Sequence, residues 1–151
     1  MLEMALAPTP GRRAKPTVLI VDDDEDLACA IGDVLIDAGY AVISARDGKQ
    51  ALTALQRQPP DLMLVDIFMP GMNGSELLRI VRSSSEWSGI PRIVMTGAND
   101  PIIGIRSDAA VIYKPLDLDA LLAFVARSCD REPTHVPAAR PGTKRDSSNG
   151  R

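Results

Sequence analysis

The chain has 151 residues, 45% of them apolar and 25% charged, with a net charge of −3 and one histidine, His135, in a Pro-rich tail. That is enough for one domain with a proper core. It excludes a membrane span, which needs a run of ~18 apolar residues, and His-based catalysis or multi-His metal binding inside the fold. Each end carries a net +2, which leaves the span 17–129 at −7; that balance does not favour nucleic-acid binding, where phosphate contacts dominate affinity.

Residues 1–16 hold three prolines and place their basic residues after the apolar ones, the wrong order for a secretory signal. They are expected to be a disordered extension of a cytoplasmic protein. The first apolar run, 17–21, is followed by five consecutive acids, Asp22 to Asp26. Acids are favoured in a helix's first turn, and they are also what a cation at the end of a buried strand requires. The segment alone leaves both readings open.

Further along, apolar runs at 40–44, 62–65, 92–95 and 109–113 read as strands. The runs VLIV, LMLV and RIVM are nearly continuous, as in parallel strands covered on both faces. Between them lie helical patterns. Residues 25–38 place Leu27, Ile31, Val34, Leu35 and Ala38 on one face, with Gly39 as the stop. Residues 47–57 present Ala51, Leu52 and Leu55; residues 75–82 present Leu77, Leu78 and Val81. The span 101–107, with Gly104 inside it, is the weakest helix, and 117–128 presents Leu118, Leu121, Leu122 and Val125 after Pro115. Cys29 and Cys129 lack metal or redox spacing and read as free thiols, Cys129 on the buried face of its helix and Cys29 away from it. Residues 130–151 have almost nothing to bury and are expected to be disordered. Five strands alternating with about five helices predict an α/β domain over 17–129 with a parallel sheet and right-handed crossovers.

In such sheets ligands bind beyond the carboxyl ends of the strands. Asp22 and Asp23 follow the first strand, Asp66 closes the third, Thr96 closes the fourth, and Lys114 follows the fifth, ahead of Pro115. Each has a bland reading alone: a turn, a cap, a solvated charge. Together they place carboxylates, a hydroxyl and an ammonium at one sheet edge.

This set, with Met69-Pro70 and Gly74 after Asp66, resembles the receiver domain of two-component response regulators over residues 17–129. The resemblance implies a flavodoxin-like, doubly wound five-stranded parallel sheet in the order 2-1-3-4-5, the order of the chemotaxis receivers. It implies Asp66 as phosphoacceptor, and Asp22, Asp23, Asp66 and the backbone carbonyl of Phe68 around Mg²⁺, with Mn²⁺ as an alternative. Thr96 and Lys114 would contact the phosphoryl group. The expected partners are a histidine kinase or histidine phosphotransfer protein and a downstream protein target, with no direct nucleic-acid binding and no membrane. The expected activity is phosphoacceptance in a stand-alone receiver, not enzymatic turnover. The alternative is a phosphorylation-independent pseudo-receiver acting as an interaction module.

Three departures from the family stand out. The interval from Thr96 to Lys114 is short, which predicts a shortened fourth helix. Val111 occupies the position three before the lysine, often aromatic, while Tyr113 shares its strand face by period-two alternation. Phe68 and Ala98 are expected to shield an acyl phosphate from water.

Other chemistries fit less well. An EF-hand calcium loop beginning at Asp22 would have Leu27 where glycine belongs and Asp33 where glutamate belongs. A phosphatase of the haloacid dehalogenase type needs a second aspartate where Phe68 stands. A flavodoxin-like cofactor protein needs a phosphate loop where this chain has acids.

Overall fold

Uninterrupted apolar strands need cover on both faces, and three of the five strands have it. The computed structural model describes residues 15–69, 71–97 and 110–130. In chain order these form β1 (Thr17–Val21), α1 (Glu25–Asp37), β2 (Ala41–Ala45), α2 (Gly48–Arg57), β3 (Leu62–Asp66), α3 (Gly74–Ser83), β4 (Arg92–Gly97), β5 (Ala110–Lys114) and α4 (Leu118–Asp130). All strand pairings are parallel, in the order β2-β1-β3-β4-β5. This is the flavodoxin-like doubly wound arrangement that the resemblance implied. β1 and β3 are buried at every residue and β4 at all but its last, whereas the edges β2 and β5 are mostly half-buried.

Alternate side chains of each strand feed two cores, one on each sheet face. Leu19, Met63 and Val94 meet Ala51 and Leu55 of α2, Leu77, Leu78 and Val81 of α3, and Trp87. Val18, Leu64 and Ile93 meet Ile31 and Leu35 of α1 with Leu121 and Val125 of α4. Full burial of each such aliphatic side chain stabilises by roughly 1.5–3 kcal/mol.

The helices start on polar side chains. Asp24 accepts from the Leu27 N–H at 3.1 Å, Asp47 from the Gln50 N–H at 2.8 Å, and Asp117 from the Asp119 N–H at 3.0 Å. Asn73 and Glu76 form a reciprocal capping box at α3. Gly39, with φ +103°, follows the C-cap of α1, a conformation glycine adopts without a Cβ penalty.

Three expectations shift. Ala38, placed on the apolar face of the first helix, is its exposed C-cap; Ala28 and Gly32 are buried instead, because the face that meets the sheet is rotated from the one with the largest side chains. β3 and β4 run on through Asp66 and Gly97, so Asp66 and Thr96 belong to the ladder. The final helix continues to Asp130. The helix expected at 101–107, Ala98, Pro70, and the extensions 1–14 and 131–151 lie outside the described residues.

Candidate functional site: an acidic pocket at the carboxyl edge of the sheet

Parallel pairing in register brings the strand ends to one edge. Val21 pairs with Val65 and Asp66 pairs with Met95. Thr96 pairs with Tyr113, and Gly97 with Lys114. Asp22 therefore emerges beside Asp66, its N–H donating to the Ala45 carbonyl at 3.0 Å. The Asp22 side chain is fully buried, Asp66 is 5% exposed, Thr96 is buried, and Asp23 faces solvent.

Lys114 reaches back into the cluster. Its Nζ lies 3.4 Å from Asp66 Oδ1 and 3.6 Å from Asp22 Oδ2. Asp22 Oδ1 accepts from the Asp24 N–H at 2.9 Å, which fixes the turn into α1. Asp22 Oδ2 accepts no hydrogen bond. Burial and the neighbouring Asp22 charge push the Asp66 carboxyl up to about 6; the Lys114 ammonium and a backbone hydrogen bond from Phe68 act in the opposite direction and do not offset them.

The pocket thus has more negative charge than Lys114 neutralises. Asp22, Asp23 and Asp66 each offer a carboxylate oxygen within 4.8 Å of the others. This donor set suits a hard cation that takes oxygen ligands and retains water, and the fully buried Asp22 oxygen without a hydrogen bond is the polar atom such an ion would satisfy.

The loop after Asp66 is held from below. A Cβ on Gly74 would come within 2.3 Å of the Asp66 carbonyl oxygen and 2.8 Å of Ile67 Cα, so only glycine lets α3 approach this closely. The Gly74 N–H donates to the Ile67 carbonyl at 2.9 Å. Met69 is buried, and Phe68 projects outward with 49% exposure.

Of the expected site residues, Asp22, Asp23, Asp66 and Lys114 come together, and Thr96 stands next to them on β4. Val111 packs into the core on the α2–α3 side, while Tyr113, on the same strand face, is 49% exposed and pairs in register with Thr96. One neighbour was not singled out from sequence. Arg46, which follows β2, is ion-paired to Glu25 at 2.7 Å and ties the loop after β2 to the start of α1. Its only sequence signal is its place at the end of the one strand that otherwise contributes no polar group to this edge.

A doubly wound parallel sheet with clustered carboxylates and a lysine at its carboxyl edge defines a class of cation- and phosphoryl-binding α/β domains. Comparison with known proteins narrows the class. The family model of the response regulator receiver domain matches residues 18–126, and the chain belongs to that family. It is 36% identical over 126 residues to the DNA-binding response regulator MtrA of Mycolicibacterium paratuberculosis, covering 79% of this chain and 55% of that protein. It is also 36% identical over 124 residues to the CAI-1 autoinducer sensor kinase/phosphatase CqsS of Vibrio cholerae, covering 79% of this chain and 18% of that protein. Among solved structures, the chemotaxis response regulator CheY4 of Vibrio cholerae superposes with a TM-score of 0.69 at 30% identity, covering 76% of this chain and 98% of that one. The chain spans about half the length of the MtrA relatives it matches. Receiver domains are phosphorylated on aspartate by histidine kinases and bind Mg²⁺ at an acidic pocket. No helix among the described residues is long and apolar enough to cross a membrane.

Proposed function

We propose that this receiver takes a phosphoryl group on Asp66 from a histidine kinase or histidine phosphotransfer protein and signals by phosphorylation-dependent binding to a protein target. One observation carries the reading: Lys114 Nζ sits between Asp22 Oδ2 and Asp66 Oδ1, at 3.6 and 3.4 Å, in a pocket whose carboxylates still repel.

A carboxylate oxygen of Asp66 attacks the phosphorus of a phosphohistidine. The P–N bond breaks, the imidazole leaves with its electron pair and takes up a proton, and an acyl phosphate forms. Asp23, Asp66 and the Phe68 carbonyl would hold Mg²⁺ directly, and Asp22 through water; bound there, Mg²⁺ offsets charge on the transferring group. Lys114 adds positive charge beside Asp66, and the Thr96 hydroxyl donates to a phosphoryl oxygen. A raised Asp66 value suits a residue whose ionisation is completed by the cation.

The finer reading is a cytoplasmic receiver over 17–129. Tyr113, beside Thr96 and half exposed, is the better placed of the two β5 residues to change rotamer on phosphorylation; Val111 is committed to the core. Phe68 covers the approach to Asp66, with Ala98 as its expected companion.

The test is incubation with acetyl phosphate and Mg²⁺, followed by intact-mass measurement. Uptake of one phosphoryl group is expected, abolished by EDTA and slowed at least about tenfold by Lys114→Ala. Labelling that survives EDTA or Asp23→Asn contradicts the metal assignment. A chain that takes no group from any donor is the pseudo-receiver.

A further inference from the structure

β2 is an edge of the sheet, with no strand on its outer side among the described residues. The Ala41 N–H donates to the Pro16 carbonyl at 2.9 Å, and the Ala45 carbonyl accepts from Asp22 at 3.0 Å. Ala41, Ile43 and Ala45 therefore turn their backbone groups toward β1, and Val42 and Ser44, as alternate residues, turn theirs away from it. The open stretch is bounded on both sides. The Tyr40 N–H is taken by the Leu35 carbonyl at 3.0 Å, and the Arg46 N–H by Gln50 Oε1 at 2.8 Å. Two outward residues are left, placed symmetrically about Ile43. The strand Ala-Val-Ile-Ser-Ala carries no charge and no proline, the devices that ordinarily blunt an edge. Along it runs a groove of about 340 Å³ between the strand and α2, lined by Ile43, Ser44, Thr53, Ala54, Arg57 and Gln58.

We propose that β2 is a self-association edge on which a second copy of this chain pairs antiparallel, about a two-fold axis at Ile43. Antiparallel pairing about that residue sets Val42 against the partner's Ser44 and Ser44 against the partner's Val42. Both are hydrogen-bonded pairs, so all four outward N–H groups and all four carbonyls face a counterpart in register. Ile43 meets the partner's Ile43 across the axis as the close, non-hydrogen-bonded pair, with both side chains on the α2 face, where the groove lies. One step further out, the side chain of Arg46, 63% exposed and ion-paired to Glu25, stands opposite the partner's Tyr40, a cation beside an aromatic ring. No like charges face each other along this ladder. A second copy satisfies the edge because the open stretch is its own complement; an unrelated strand has no such reason to stop at two residues. The surface is distinct from the pocket at Asp66, so the proposal stands whether or not that residue accepts phosphate.

Sedimentation velocity on the full chain from ~10 µM to ~1 mM, a range that suits a small interface, is the first measurement. A concentration-dependent dimer is expected, and Ser44→Lys and Val42→Pro are each expected to shift its dissociation constant upward by at least about tenfold, since each removes or blocks an outward backbone pair. Val42→Pro deletes only an outward donor, which edge strands tolerate, and Trp87 fluorescence verifies that both variants fold. Ile43→Cys in a Cys29→Ser background is expected to cross-link under mild oxidation, because the axis brings the two Cα atoms within disulfide reach. A chain that stays monomeric to ~1 mM, beyond the range of a small interface, overturns the proposal. So does a dimer that both edge variants leave unchanged and that Ile43→Cys does not cross-link.

Discussion

Among single residues, the Asp66 carboxyl is the most informative group. Its ordinary value near 3.8 is raised to about 6, first by burial and then by the Asp22 charge. The folded protein therefore binds this proton more tightly than the unfolded chain. The stabilisation is complete below about pH 4 and is lost as pH rises through about 6, a difference of order 2–3 kcal/mol. In metal-free buffer Asp66→Asn is expected to be more stable than wild type by about that amount at about pH 7.5, with the gap closing by about pH 4.5. Urea denaturation followed by Trp87 fluorescence measures both, and a gap of the same size at the two pH values contradicts the assignment. Phe68 makes a kinetic prediction. Phe68, two residues after Asp66 and half exposed, is proposed to shield the acyl phosphate from water, so Phe68→Asn is expected to shorten its lifetime severalfold. An unchanged decay rate removes Phe68 from that role. Tyr113 shows where residue-level reading succeeds: alternation alone placed it on the Val111 face, but only the register revealed Thr96 as its neighbour.

Among the elements, the loop between β3 and α3 carries the site, and Gly74 sets its height. Gly74→Ala puts a methyl group against the backbone of Asp66 and Ile67, where nothing flexible can yield. It is expected to cost roughly 1–3 kcal/mol, as overpacking does, and to slow phosphorylation by moving Asp66; a fully stable and fully active variant contradicts this geometry. The sequence offered Gly74 as one of the residues that carry the family resemblance but gave no physical reason for it, because close approach between segments eight residues apart has no local signature. Element types were legible throughout the described residues, since continuous apolar strands and 3.6-residue helical faces are strong periodic signals. The ends were less so. Asp66 and Thr96 extend their strands because neighbouring strands supply ladder partners, which no single segment reveals. Arg46 was missed for a related reason: its partner Glu25 lies at the start of α1, far from it in sequence, and an exposed pair of this kind contributes only ~0.2–1 kcal/mol to stability.

Across the molecule, the sheet works as a frame. Buried β1, β3 and β4 fix Asp22, Asp66 and Thr96 at one edge, and among the described residues two helices on each face hold that frame rigid. The strand order itself was not derivable from periodicity. It came with the resemblance, whereas the presence of a parallel sheet and the side on which the acids gather followed from the apolar runs and the strand ends. The five acids after β1 now divide. Asp22 and the exposed Asp23 join Asp66 in the carboxylate cluster, Asp24 caps α1, Glu25 holds Arg46, and Asp26 stands exposed in the helix's first turn. The helix-start reading holds for Asp24, Glu25 and Asp26, and the cation reading is the one proposed for Asp22 and Asp23.

Everything proposed for the pocket depends on Asp66 receiving the phosphoryl group. Intact mass after treatment with acetyl phosphate and Mg²⁺, wild type beside Asp66→Asn, decides it. One added phosphoryl group is expected on the wild type and none on the variant. Equal labelling of the two proteins would rule Asp66 out as the acceptor.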